Sequence, residues 1–323
     1  MTSNGMGGLV VTNEHIDLLR QAKSSWLYPI YVPTYTRAGT APLLNLLRRA
    51  PSSVKRLVHL VVRQEERAAY AHEYPWADQV IVGKPGLGPA RTRALQDAKA
   101  RGYQRIIQMD DDIKHVSLLE RIARPNKTDH TRRYSSGVSG VDEPMLMIRS
   151  LAVTCRLANG LFNVWPNAVY GASRNALFSG DVDTSVGATL NKGTFPASVM
   201  YYDLDRMENF VLPKRFHMHG EDIAFAMDVM TRGQEWFTIP VSAFDQDGNI
   251  ETTIPLDPQD SVARRLDIEN AAIDYPDIHP YLRESVRNKA GGVMRVGVNW
   301  KQWYKATGSS PIDIPLTTII KES

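Results

Sequence analysis

Apolar runs of strand length alternate with segments of helical period over the first third of the chain. Residues 27–32, 57–62 and 79–82 are short, apolar and rich in Val, Ile and Leu, and each precedes a stretch where apolar positions recur every three to four residues, at 43–49, 65–74 and 90–100. A fourth run, 106–109, ends abruptly in Asp110, Asp111 and Asp112. Strands and helices alternating at this spacing predict an α/β fold built on a mostly parallel sheet flanked by helices. Farther along, the pattern predicts a helix over 144–158, strands at 168–172 and 197–204, and a helix opening after Gly220 with Ile223, Ala226, Met227 and Met230 on its apolar side. These elements predict an N-terminal helical segment over 1–26, a main domain over 27–255 and a C-terminal helical appendage over 256–323. Residues 121–143 hold Arg121, Arg124, Lys127, Arg132 and Arg133 among serines and glycines, and are expected to form a basic loop or lid.

In a parallel sheet the ligand sits beyond the carboxyl ends of the strands. Residues 33–37, 83–91 and 110–112 all fall there. Gly88 is expected at the cap and Pro89 at the first position of the helix that follows the second of these loops. Three adjacent carboxylates raise one another's pKa, so a fold that gathers them commonly supplies a divalent cation, and hard oxygen donors favour Mg²⁺ or Mn²⁺. The same run also suits a helix cap or a solvated turn. Glu221 and Asp222 open the helix after Gly220, where the helix dipole alone explains two carboxylates. Arg37 and Arg91 suit bidentate phosphate binding or an ordinary salt bridge.

Composition narrows the class without choosing a ligand. Hydrophobic residues make up 43% and charged residues 23%, the balance of a globular domain. The formal charge of +3 is too small to prove an anionic partner. The lone cysteine, Cys155, lies in an apolar helical pattern, which excludes an intrachain disulfide and points to the core. No apolar run is expected to span a membrane, residues 1–8 lack signal-peptide blocks, and the expected location is cytoplasmic, with no obligate protein partner evident. Near the C-terminus, Arg283, Arg287, Lys289, Arg295, Lys301 and Lys305 stand against Glu284 and interleave with Trp300, Trp303 and Tyr304. That pattern suits a nucleic-acid surface, or an aromatic anchor on the core with solvated lysines around it.

Taken in order, Pro33-Thr34-Tyr35-Thr36-Arg37, Gly88-Pro89-Ala90-Arg91, Met109-Asp110-Asp111-Asp112 and Gly220-Glu221-Asp222 resemble the landmarks of a GT-A fold glycosyltransferase over roughly residues 27–240. They resemble its first nucleotide-binding loop, its Gly-Ala-Arg-Asn element, its metal-binding Asp-x-Asp and its Glu-Asp pair. Thr36 and Thr92 depart from that pattern, each standing where Asn is common, and Asp245-Gln246-Asp247 occupies the stretch where a histidine metal ligand often lies. Within the fold the chain is most similar to the TET-associated glycosyltransferases, mostly of bacteriophages, which are thought to add sugars to 5-hydroxymethylpyrimidines in DNA. Gly193-Thr194-Phe195-Pro196 and Tyr201-Tyr202-Asp203-Leu204-Asp205 add to that similarity.

The resemblance implies a UDP-sugar donor held by Pro33, Thr34, Arg37, Gly88 and Arg91, a Mn²⁺ or Mg²⁺ ion on Asp110 and Asp112, and Asp111 at the ribose or donor sugar. It also implies Asp222 as catalytic base, Glu221 orienting it or binding acceptor, single displacement with inversion, and DNA as acceptor. A polysaccharide or protein acceptor would need the same donor machinery. Outside catalysis the alternatives are a sugar-nucleotide-binding or DNA-binding protein, and a nucleotidyltransferase would share the α/β layout.

Overall fold

The computed structural model describes residues 23–122, 130–135, 143–164, 168–174, 191–192, 198–205, 212, 221–232, 235–246, 271, 273–287 and 293–307. Four parallel strands make one half of its main sheet. β1 (Ile30–Pro33) lies between β2 (Val58–Arg63) and β4 (Arg105–Met109), and β3 (Asp78–Val82) borders β2. Every residue of β1 and the first five of β2 are buried, as expected for strands covered on both faces.

The other half is mixed. β5 (Ile113–Ile122), β6 (His130–Ser135), β7 (Ala168–Arg174), β8 (Asn191–Lys192), β9 (Val199–Asp203) and β10 (Glu235–Gln246) complete the order β3-β2-β1-β4-β9-β7-β10-β5-β6, with β8 also on β10. β9 joins the halves by running antiparallel to both β4 and β7. After β4 the chain therefore leaves the sheet centre through Asp110–Asp112 and re-enters four places away at β5.

Alternating strand residues feed two cores. Ile30, Val32, Leu60, Val62 and Ile107 face a layer containing α1 (Pro42–Leu47), α2 (Ser52–Lys55), α3 (Arg67–Glu73) and α5 (Glu143–Val164). Tyr31, Val61 and Ile106 face α4 (Leu87–Ala100) and α6 (Glu221–Thr231). In α4 the contact stripe is Ala90, Ala94 and Ala98, spaced one turn apart, and such small side chains let the helix lie close to the strands. Cys155 is buried in α5. That helix is long and apolar enough to cross a membrane over Pro144–Asn163, which the sequence pattern did not lead us to expect, yet 67% of that stretch is buried inside the fold, as befits a core helix.

Several boundaries differ from expectation for definable reasons. α4 begins at Leu87 with Gly86 as its cap at φ 107°, so Gly88 and Pro89 sit inside the first turn. The residue that needs a left-handed backbone is Gly86, and a first-turn proline is tolerated because first-turn N–H groups have no helical partner. The expected basic loop over 121–143 is partly strand: β5 and β6 pair from Ser117↔Ser135 to Ile122↔His130. Backbone pairing needs no core-facing side chains, and charged residues suit the sheet edge that β6 forms. The C-terminal appendage is a hairpin, β11 (Leu282–Arg287) with β12 (Val293–Val298), followed by α7 (Trp300–Thr307). It packs on α6 through Ala224, Met227, Ile278, Val298 and Trp303. Of the expected N-terminal helical segment, a short 3₁₀ turn over Ser24–Trp26 is described and residues 1–22 lie outside the described residues.

Candidate active site

The first loop leaves the sheet at Pro33, and Thr34 still donates its backbone N–H to Val61 at 3.1 Å. Its hydroxyl then turns inward to Asp111 Oδ2 at 2.7 Å. Arg37 returns from the far end of the loop to pair with Asp111 Oδ1. Asp111 is only 7% exposed, and its backbone oxygen accepts the N–H of Leu43 at the start of α1 (3.1 Å). Burial raises the Asp111 pKa to about 6, against the pull of Arg37 and the Thr34 hydrogen bond. Between these anchors Thr36 adopts φ 56°, an unusual backbone for a β-branched residue, with its N–H on Glu66 Oε1 at 2.7 Å.

Arg91 projects from the first turns of α4 to the second cluster. Its Nη2 lies 2.9 Å from Asp110 Oδ1 and its Nε 3.6 Å from Glu221 Oε1. Gln108, buried in β4, fixes the helix from below by donating to the Arg91 carbonyl at 2.9 Å. Burial opposes the Arg91 charge, but Asp110 and Glu221 outweigh it and keep the guanidinium protonated. Burial pushes the Glu221 carboxyl upward, Arg91 resists and Asp222 adds to the rise. The two shifts pull in opposite senses on one ion pair. The shorter contact makes Asp110 the principal partner of Arg91, leaving Glu221 as the carboxyl that can hold a proton.

Gly88, Arg91, Thr92, Leu95, Met200, Tyr202, Leu212, Glu221 and Phe225 line a small open cleft beside this cluster. Tyr202 and Phe225 meet edge to face at 5.5 Å in its wall. Asp222 is half-buried next to Glu221 and accepts the Ile223 N–H at 2.8 Å.

The expected site residues gather into two clusters. Thr34, Arg37 and Asp111 form one, with Pro33 buried at its base; Asp110, Arg91, Glu221, Gly88 and Asp222 form or border the other; Asp112 lies between β4 and β5. Gly220 falls outside the described residues, as do His217 and His219, whose imidazoles suit a ligand, an acceptor contact or a structural hydrogen bond, and Trp165, which suits core or a pocket wall. Asp245 is placed opposite His115 in the β10–β5 pairing. Sequence reasoning passed over Tyr70 and Gln108, both fully or almost fully buried. Tyr70 had no motif to mark it, only an aromatic on a helical stripe, which reads as core.

Among the described residues no group of three or more His, Cys, Asp or Glu is arranged to hold a metal ion. The donor chemistry nevertheless fits a hard cation, because Mg²⁺-type ions are commonly held by one or two carboxylates with the substrate's phosphates completing the shell. Asp110 and Asp112 are the carboxylates of the strand end that could hold such an ion, since both oxygens of Asp111 are engaged by Thr34 and Arg37, whereas Asp110 meets Arg91 through Oδ1.

The first loop, the helix bearing Arg91 and the acidic strand end all lie within one matched segment. Residues 28–143 match the TET-associated glycosyltransferase family. The enzyme class is glycosyltransferase. The match to this glycosyltransferase family spans the parallel half of the sheet, and α6 with Glu221 and Asp222 lies beyond it. No curated protein matches the chain. Solved structures similar to it include mannose-1-phosphate geranyltransferase from Thermus thermophilus, at 11% identity, 68% coverage of this chain, 75% of that chain and a TM-score of 0.37. GalNAc-T7 with UDP, GalNAc and Mn²⁺ is 9% identical over 87% of this chain, which spans 61% of that longer protein, with a TM-score of 0.46. A protein described as a nucleotide-diphospho-sugar transferase from Desulfovibrio desulfuricans is 12% identical over 76% of this chain and 95% of that one, with a TM-score of 0.31.

Proposed function

We propose that this glycosyltransferase moves a sugar from a nucleotide-diphosphate sugar, a UDP-sugar by default, to the hydroxyl of 5-hydroxymethylcytosine in DNA, with Mn²⁺ or Mg²⁺ bound. In this reading the chain is phage-encoded and works in the host cytoplasm. The observation that carries it is the Arg91 guanidinium, which brings together Asp110 from the acidic strand end and Glu221 from α6. Donor-side and acceptor-side carboxylates are thereby neighbours.

When bound, the metal neutralises charge that builds on the departing diphosphate. Asp110 and Asp112 would hold it. As the bond from the anomeric carbon to the phosphate oxygen breaks, the acceptor oxygen bonds to the opposite face of that carbon, and Asp222 takes the hydroxyl proton. The partial positive charge on the sugar favours a carboxylate-rich surround. Glu221, anchored on Arg91, orients Asp222 and the acceptor.

The deciding experiment is mass spectrometry of nucleosides from 5-hydroxymethylcytosine DNA after incubation with the purified protein, Mn²⁺ and a panel of nucleotide sugars. A hexose or N-acetylhexosamine mass gain, abolished by chelator and by Asp222→Ala, is expected. Metal-dependent donor hydrolysis without any gain on DNA would move the acceptor to a polysaccharide or protein. Absence of both signals would overturn the transferase mechanism.

A further inference from the structure

Tyr70 lies on α3, is 0% exposed and so cannot touch a ligand, yet its hydroxyl is committed to the first loop on both sides. The Arg37 N–H donates to the Tyr70 oxygen at 3.0 Å, and Tyr70 meets Thr34 Oγ1 at 2.8 Å. The proton directions follow from counting. Thr34 has one hydroxyl proton, and a carboxylate can only accept, so that proton goes to Asp111 Oδ2. Tyr70 must then donate to Thr34. Arg37 closes the circuit by donating through its side chain to Asp111 Oδ1.

We infer that Tyr70 is a positioning residue for the donor nucleotide: through the closed ring Arg37–Tyr70–Thr34–Asp111 it fixes the first loop against the acidic strand end before ligand arrives. The inference rests on the nucleotide-sugar reading above. It assigns Asp111 a different task from its two neighbours, since both its oxygens are engaged in holding the loop, while Asp110 and Asp112 serve the cation. With the Thr34 and Arg37 side chains turned toward Asp111, the loop presents Tyr35, Thr36 and main-chain groups outward. Burial also pushes the Tyr70 phenol up to about 12, so it keeps the proton it donates to Thr34. A loop latched in advance loses less freedom on binding, which is where affinity is gained.

The test is calorimetry of uridine diphosphate with Mn²⁺ on the full chain, joined to steady-state kinetics on the nucleotide sugar. Tyr70→Phe removes one hydroxyl and keeps the ring, and it is expected to weaken nucleotide binding and raise the donor KM about ten-fold, the usual scale for orphaning a buried polar group, with kcat within about two-fold. Thr34→Val should do the same and Thr34→Ser should restore binding. The double variant Tyr70→Phe/Thr34→Val should be no worse than the poorer single, because one broken link already opens the ring. Should Tyr70→Phe not fold, the Val and Ser pair at position 34 decides alone. Nucleotide binding in Tyr70→Phe and Thr34→Val equal to that of the unmodified protein overturns the ring while leaving the donor reading intact. Absence of binding by the unmodified protein to any nucleoside diphosphate overturns both.

Discussion

At the scale of single residues, strain and buried charge carry the clearest consequences. Thr36 holds φ 56° inside a loop that the ring from Tyr70 and the Glu66 contact constrain on both sides. L-residues lose about 1 kcal/mol or more in this conformation, and asparagine tolerates it better than a β-branched residue. Thr36→Asn is therefore expected to raise stability by about 1 kcal/mol, seen as a higher urea midpoint at unchanged slope. Arg91 is the opposite case, a buried cation between Asp110 and Glu221. Removing one partner of a buried pair strands the other charge, so Arg91→Leu should cost about 3 kcal/mol in urea unfolding and abolish transfer. Arg91→Lys keeps the charge but not the fork, and should recover part of the stability with little of the activity.

Between elements, a polar cluster stands away from the candidate site where β2, β3 and α4 meet. His59 is buried and stacked on Tyr31 with ring centroids 4.6 Å apart. Its Nδ1 lies 3.2 Å from Asp78, whose carboxylate also receives Arg101 at 2.6 Å. An ionised Asp78 can only accept, so Nδ1 carries the imidazole proton. Burial lowers the His59 pKa below 6.5, and nearby Arg101 adds to this, while the Asp78 hydrogen bond opposes it. The folded protein thus takes up the second proton less readily than the unfolded chain. Stability contributed here is complete above about pH 6.5 and is lost as pH falls through the window below it. Urea midpoints measured from pH 8 to pH 5 should drop on the acid side relative to those of His59→Gln, the raised carboxyls of Glu221 and Asp111 acting alike in both proteins.

For the whole molecule, the C-terminal elements are tied by packing to the helix that carries Glu221 and Asp222. Trp303 is 8% exposed and meets Tyr281 edge to face at 5.3 Å, within the cluster that includes Ala224 and Met227 of α6. Of the two roles open to the tail aromatics, Trp303 takes the anchoring one. Trp303→Ala should cost about 3 kcal/mol of that packing and speed proteolysis around residues 271–307. Because α6 carries Glu221 and Asp222 in its first turn, transfer should weaken in the same variant even though Trp303 lies outside the cleft.

Apart from the one-turn helix α2, the order of strands and helices from residue 27 through residue 109 and the placement of three polar loops at strand ends were legible in the chain itself. Hydrophobic period and glycine or proline punctuation are local, and they act on the backbone wherever it lies. The β5–β6 hairpin was not legible, because its pairing draws on main-chain groups that every residue owns. The partners that Asp110 and Asp111 meet were equally hidden, although the resemblance already set Asp111 apart from its two neighbours. Three identical neighbours differ only in what comes to meet them: Arg91 from α4, Thr34 and Arg37 from the first loop, and the turn into β5. Tyr70 shows the same limit, since a buried tyrosine reads as core until its hydroxyl is seen to close a ring with residues thirty to forty positions away. Sequence by itself determined the α/β plan and the residue types at its strand ends, through local periodicity. Tertiary structure alone decided which carboxylate meets which partner, because burial and distance between remote segments set those energies.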